Sequence, residues 1–222
     1  MIVENYVSNN IIPLKIEDDF ELSAQLMDDG KLSYFPVIKE NNLYVGLVSD
    51  KVMYELNSLG ERIFNRKDLL KDYFVYNNQT IFDATAIILE HNLDILPVID
   101  YKRKYLGVLT IRDILEAYTS YAAVNAQGDI LQLTLNSNDL CVSEISRIIE
   151  NENGHIINLF VMPIKETTKI KVFIKLARME LCRVVKAFER YNYNVEYFVQ
   201  SSEKDDEGLL KNYDLLMKYL NI

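Results

Sequence analysis

Leu96-Pro97-Val98-Ile99-Asp100 and, four residues on, Tyr105-Leu106-Gly107-Val108-Leu109-Thr110-Ile111-Arg112-Asp113 are the stretches that decide the fold. The first is an apolar run of strand length, with proline near its start, where no ladder donor is required. The second alternates into a strand, carries a glycine inside it, and ends in Thr-x-x-Asp, a helix-start signature. Glycine within a strand implies that another backbone, or a ligand, passes close by. Between the two, Lys102-Arg103-Lys104 reads as a turn.

The same phrase occurs earlier in the chain. Shifted by 61 residues, Ile12 to Leu56 lies over Tyr73 to Ala117 without a gap. Pro36-Val37-Ile38 falls on Pro97-Val98-Ile99, Tyr44 on Tyr105, Gly46 on Gly107, Leu32 on Leu93, Ser49 on Thr110 and Glu55 on Glu116. Self-similarity at a fixed period marks a repeated structural unit. Each copy predicts a short extended piece (Pro13 to Ile16; Phe74 to Tyr76) and then a polar cap, Asp18-Asp19 or Thr80. An amphipathic helix follows, with Phe20, Leu22, Leu26 and Met27 apolar in copy one and Ile81, Phe82, Ile87 and Ile88 in copy two. Two strands come next, Phe35–Ile38 and Tyr44–Val48 in copy one, joined by the polar turn Lys39-Glu40-Asn41-Asn42. A second helix starts at Ser49 or Thr110.

This βαββα repeat, and above all Leu96–Asp100 and Tyr105–Asp113, resembles the CBS domain, whose members occur as side-by-side pairs (Bateman modules) that sense adenosine nucleotides. The resemblance covers roughly residues 1 to 121. It implies that Ser/Thr-x-x-Asp at the end of the last strand contacts the nucleotide. A hydroxyl and free N–H groups at a helix start suit a phosphate, and a carboxylate can accept from two ribose hydroxyls. Copy two keeps Thr110 and Asp113, whereas copy one reads Ser49-Asp50-Lys51-Val52, with valine in the carboxylate position. The resemblance further implies that each cleft combines this motif with strand segments of the other copy. The intact cleft would join Thr110 and Asp113 to Ile12, Leu32, Ser33 and Tyr34; the degenerate one would join Ser49 to Phe74, Leu93, Asp94 and Ile95. Tyr34 can stack on a base or fill the pocket. A plain capping box, worth about 1 kcal/mol, also accounts for Thr110 and Asp113.

From Asp129 the pattern changes. Ile130, Leu131, Leu133 and Leu135 predict a strand, and Ser137 or Asn138 caps a helix carrying Leu140, Val142, Ile145, Ile148 and Ile149. Strands over His155–Ile164 and Lys169–Leu176, a helix over Met179–Tyr191 and a strand over Val195–Val199 complete βαββαβ, the ferredoxin-like order. In order and position this unit resembles an ACT domain, and the whole is similar to acetoin-utilisation-type regulatory proteins. Amino-acid-binding ACT domains usually carry glycine in the loop entering the first helix; Leu140 stands there, which obstructs a close backbone approach. Beyond a polar run from Ser201, Leu209, Leu210, Tyr213, Leu216, Met217 and Leu220 share one helical face. The expected class is α+β, divided as CBS repeats over 1–61 and 62–125, an ACT-like domain over 126–200, and a linker with an amphipathic helix over 201–222.

Composition bounds the function. Of 222 residues, 49% are hydrophobic and 26% charged, within the globular range. A net charge of −9 disfavours nucleic acid as a partner. No run approaches the length of about 18 apolar residues that a membrane span needs. The opening lacks the features of a signal peptide, so the cytoplasm is the expected compartment. Cys141 and Cys182 read as small buried hydrophobes rather than a disulfide framework. His91 reads as ending a helix and His155 as starting a strand, with no ligand-spaced neighbours for a metal. No glycine-rich phosphate loop or nucleophile elbow is present, so an enzyme is not expected. The expectation is a homodimeric, non-catalytic sensor with no tightly bound cofactor. It binds AMP, ADP, ATP or another adenosyl compound and passes the signal to an unidentified protein partner. The alternatives are amino-acid sensing by the ACT-like unit, or a scaffold with no ligand.

Overall fold

The computed structural model of the protein describes residues 1–18, 32–58 and 63–201. The expected first helix of copy one (Phe20, Leu22, Leu26, Met27) and the C-terminal amphipathic segment lie outside the described residues. Two compact units emerge, Met1–Tyr121 and Ala122–Ile222.

In the first unit the 61-residue shift reappears as hydrogen-bond register. Copy one has β1 (Leu14–Lys15), β2 (Tyr34–Lys39), β3 (Leu43–Ser49) and α1 (Asp50–Ser58). Copy two has β4 (Val75–Tyr76), α2 (Ile81–His91), β5 (Ile95–Ile99), β6 (Tyr105–Thr110) and α3 (Ile111–Tyr121). Tyr34 pairs with Ser49 and Val37 with Gly46; Ile95 pairs with Thr110 and Val98 with Gly107. Both hairpins carry their register shift at the matching place, after Val37 and after Val98. The parallel pairings β1–β2 and β4–β5 also correspond, Leu14 with Val37 and Val75 with Val98. Central strand β5 is buried throughout, as an unbroken Ile-Leu-Pro-Val-Ile run requires.

The leading segment of each copy crosses to the other. Ser8 and Val108 exchange both backbone hydrogen bonds, and so do Lys71 and Leu47. Each crossing runs over a glycine. A Cβ on Gly107 would lie 2.5 Å from Val7 Cγ1 and 2.7 Å from the Ser8 carbonyl oxygen, and its φ of +144° disfavours any side chain. A Cβ on Gly46 would lie 2.8 Å from Leu70 Cβ. The close approach implied by these glycines is therefore another backbone. The strap over residues 1–10 was not read as structure in the sequence. It contains a short 3-10 turn, Val3–Tyr6, and its Val3 is fully buried in the copy-two core.

A second lock joins the copies at the hairpin turn. Arg103, in a left-handed conformation (φ 62°), pairs with Asp72 and lies over the rings of Tyr44 and Phe74. Its carbonyl accepts the Tyr44 N–H at 2.9 Å, while the Tyr44 hydroxyl donates to the Tyr73 carbonyl at 2.7 Å. Burial drives the Tyr44 hydroxyl well above its ordinary pKa. Lys102-Arg103-Lys104 is thus a turn, as read, but Arg103 also clamps the copies together.

The second unit has the ferredoxin-like order β7 (Asp129–Asn136), α4 (Val142–Asn151), β8 (Ile156–Pro163), β9 (Lys169–Leu176), α5 (Leu181–Arg190) and β10 (Asn194–Val199). Its antiparallel sheet runs β10-β7-β9-β8. Ile145, Ile148 and Ile149 of α4 and Leu181, Val184 and Phe188 of α5 close the core over Leu131, Leu133, Val172 and Ile174. Asp129, 1% exposed, accepts the backbone N–H groups of Met179 and Ser201 through its two oxygens and ties three segments at one end of the sheet.

Two expectations for this unit are corrected. Neither Ser137 nor Asn138 caps the helix: Ser137–Asp139 forms its own 3-10 turn, and α4 starts after Cys141. Both cysteines are exposed rather than buried. Cys141 sits outside the helix at its N-cap, and the buried face of α5 is taken by Leu181, Val184, Val185 and Phe188, which turns Cys182 outward. The Ser143 hydroxyl, 3.2 Å from Cys141 Sγ, holds that thiol below its usual pKa.

Two outcomes follow. Gly107→Ala is expected to lower stability by about 2–3 kcal/mol in urea unfolding, through strain and a forced shift of the strap. Cys141 is expected to be alkylated by iodoacetamide faster than Cys182 at neutral pH, with the difference narrowing in Ser143→Ala, as read by mass spectrometry.

Candidate functional site

The copy-two motif is complete. Thr110 N–H and Oγ–H both donate to Asp113 Oδ2, at 2.8 and 2.7 Å, and the Asp113 N–H donates back to Thr110 Oγ at 3.2 Å. That is a closed capping box. Thr80 and Asp83 form the same box at the start of α2, where the Thr80 hydroxyl holds the Asp83 carboxyl below the usual carboxylate range. In copy one the box is half made: Ser49 Oγ accepts the Val52 N–H at 3.3 Å, and Val52 has no carboxylate to return the bond. Copy one has thus lost the group that distinguishes the motif.

Asp113 opens onto a cleft of about 370 Å³ walled by Asp113 and Glu116 of α3 and by the strap from Asn5 to Asn10. The strap is held in place by the Ser8–Val108 pairing and by Val3 and Glu4, whose N–H groups donate to the Gln79 and Asn77 carbonyls. Ile12, Leu32, Ser33 and Tyr34, assigned to this cleft from the sequence, are not part of that wall. Leu32 and Tyr34 are half-buried against the copy-two core, and Ile12 is 64% exposed. The structure therefore joins Thr110 and Asp113 to the other copy through the strap. Two wall elements escaped the sequence reading. The strap has no periodicity of its own, because its bonds go to a distant strand, but Gly107 signalled that something crosses there. Glu116 lies one helical turn beyond Asp113 and so shares its face.

Around the copy-one motif, Ser33 and Asp94 occupy equivalent positions and meet: the Ser33 N–H donates to Asp94 Oδ2 at 2.5 Å. Their carbonyls take the first N–H groups of the following helices, Asp50 to Ser33 at 3.0 Å and Ile111 to Asp94 at 3.4 Å. Asp94 Oδ1 is buried without a hydrogen-bond partner. Leu93 and Ile95 are fully packed in the core, Phe74 lies under Arg103, and Ser49 caps α1. Among the described residues, no group of His, Cys, Asp and Glu could hold a metal ion, and no helix is long and apolar enough to cross a membrane. His91 ends α2 and stacks on Tyr73 at 3.9 Å.

In the second unit a polar hollow of about 430 Å³ lies between the β7–α4 and α5–β10 connections, lined in part by Asn136, Asp139, Glu144, Lys169 and Tyr193. The Tyr193 hydroxyl donates to Glu144 at 2.8 Å; burial and that carboxylate push it up to about 12. Leu140 packs against the core beside the connection.

Residues 63–120 match the family model of the CBS domain. The chain carries a CBS domain over this segment. Copy one repeats its strand register residue for residue. The chain is 27% identical over 126 residues to a homoserine O-acetyltransferase of Methanosarcina acetivorans, a match covering 54% of this chain and 22% of that protein. It spans about a fifth of the length of the curated relatives it matches. Among solved structures, a CBS domain pair/ACT domain protein from Thermotoga maritima is 23% identical, with a TM-score of 0.49 over 54% of this chain and 98% of that one. CBSX2 in complex with AMP is 26% identical, with a TM-score of 0.45 over 54% and 96% of the two chains.

The capping role of the motif makes its own prediction. Asp113→Ala should lower stability by about 1 kcal/mol, close to the effect of Asp83→Ala in the matching box, as measured by chemical unfolding without ligand.

Proposed function

We propose that the protein is a non-catalytic sensor that binds an adenosine-containing ligand in the Asp113 cleft of its CBS pair. The observation that carries this reading is asymmetry. Both copies cap their second helix, but only copy two has a carboxylate there, and it opens onto a cleft against a segment of the other copy. Capping alone explains the bonds between Thr110 and Asp113 but not why the box borders an open polar cleft. The carboxylate would accept the two ribose hydroxyls, and the neutral amides of the strap would meet the rest of the nucleoside. Ile12, Leu32, Ser33 and Tyr34, the contacts implied by the family resemblance, lie off this wall and take no part in the proposal. Ser49, Phe74, Leu93 and Ile95 mark the degenerate counterpart, which this reading leaves empty.

A ligand held between α3 and the strap bears on both copies at once, because the strap belongs to copy one and is paired to copy two. A preference of the ligand for one arrangement of the copies would shift that equilibrium. The reading extends to a cytoplasmic homodimer whose ACT-like unit passes the shift to a partner protein. A second reading, amino-acid sensing, is favoured by the polar hollow beside Tyr193 and opposed by Leu140.

Titration calorimetry with adenosine, AMP, ADP, ATP, S-adenosylmethionine and amino acids tests both. An adenosine compound should bind the wild-type chain, and Asp113→Ala should weaken it by about tenfold to a hundredfold, the loss of a charged hydrogen bond. Asp83→Ala, equal in its capping cost, should leave binding unchanged. Binding of amino acids alone would overturn the CBS reading in favour of the second unit.

A further inference from the structure

We infer that the Asp113 cleft selects adenosine compounds that carry no phosphate, and prefers a positively charged 5′ substituent to a neutral one. The inference rests on the binding role proposed above and concerns which member of the ligand class fits. Asp113 and Glu116 stand three residues apart on α3 and face the same cleft. The opposite wall offers the side chains of Asn5, Ser8, Asn9 and Asn10, neutral groups that serve both as donors and acceptors. Among the described wall residues none is lysine or arginine.

The hydroxyl that would ordinarily greet a phosphate is already committed. Thr110 Oγ–H donates to Asp113 Oδ2, and the Thr110 oxygen accepts the Asp113 N–H. The Thr110 N–H is also turned onto the Asp113 carboxylate. An incoming phosphate would thus meet two carboxylates and a threonine whose N–H and hydroxyl are both turned onto Asp113. Coulomb repulsion from Glu116, with no countercharge on the described wall, penalises each negative charge on the ligand and rewards a cation such as a sulfonium. Ribose recognition is unaffected, because hydroxyls donate to Asp113 whichever 5′ group they carry.

The experiment is calorimetric titration of the full chain with adenosine, AMP, ATP, S-adenosylmethionine and S-adenosylhomocysteine at low ionic strength. Adenosine should bind about tenfold more tightly than AMP, with ATP weaker still, and S-adenosylmethionine should bind more tightly than its uncharged homologue. Glu116→Gln should narrow the gap between adenosine and AMP, and Glu116→Lys should reverse it. Glu116 is exposed, so thermal melting should show both variants folded. Added salt should narrow the gap in the wild-type chain, which supplies a reading independent of any variant. If AMP or ATP binds more tightly than adenosine and Asp113→Ala removes that binding, the charge selection is wrong while the binding role stands. If no adenosine compound binds, the binding role fails and the selection with it.

Discussion

Two pairs of backbone hydrogen bonds, Ser8 with Val108 and Lys71 with Leu47, hold the leading segment of each repeat on the last strand of the other. A repeat of this size has an edge strand whose unpaired groups need partners. Each crossing gives one residue of an edge strand its partner, and together they tie the two copies into one compact unit. The exchange also dictates sequence: a strand crossed at this distance cannot carry a side chain at the crossing, so Gly46 and Gly107 stand at matching positions in the repeat. The cleft beside Asp113 is a by-product of the same exchange, because its far wall is the crossing segment itself.

Equal folds need not carry equal chemistry. The two hairpins share their register to the residue, yet Val52 replaces the carboxylate that Asp113 supplies. Ser49 still accepts the Val52 N–H at the start of α1, but the carboxylate and the bonds it would accept from residue 49 are missing. Near copy one, Ser33 and Asp94 instead close on each other.

Much of this was legible in the sequence because it rests on local pattern. The apolar run Leu96–Ile99, the turn at Lys102–Lys104 and the Thr-x-x-Asp signal each act within a few residues, and among the described elements other than α4 the strand and helix boundaries followed within one or two positions. The features that escaped depend on partners far along the chain. Nothing in Met1–Asn10 shows a period, since its long-range bonds go to residues 73 to 120 positions away. Arg103 looked like one cation in a polar turn, and only the fold brings it to Asp72, Tyr44 and Phe74. Leu140 promised an apolar helix start but belongs to the turn before α4, which left Cys141 outside the helix and exposed.

The most direct measurement of the central claim is amide NMR of the full chain as adenosine is added. The account predicts the largest shifts at Asn5–Asn10 and Val108–Glu116, with Ser8 and Val108 moving together and smaller changes in residues 129–199 of the second unit. Shifts centred on Asn136, Glu144 and Tyr193, or none in the strap, would contradict it.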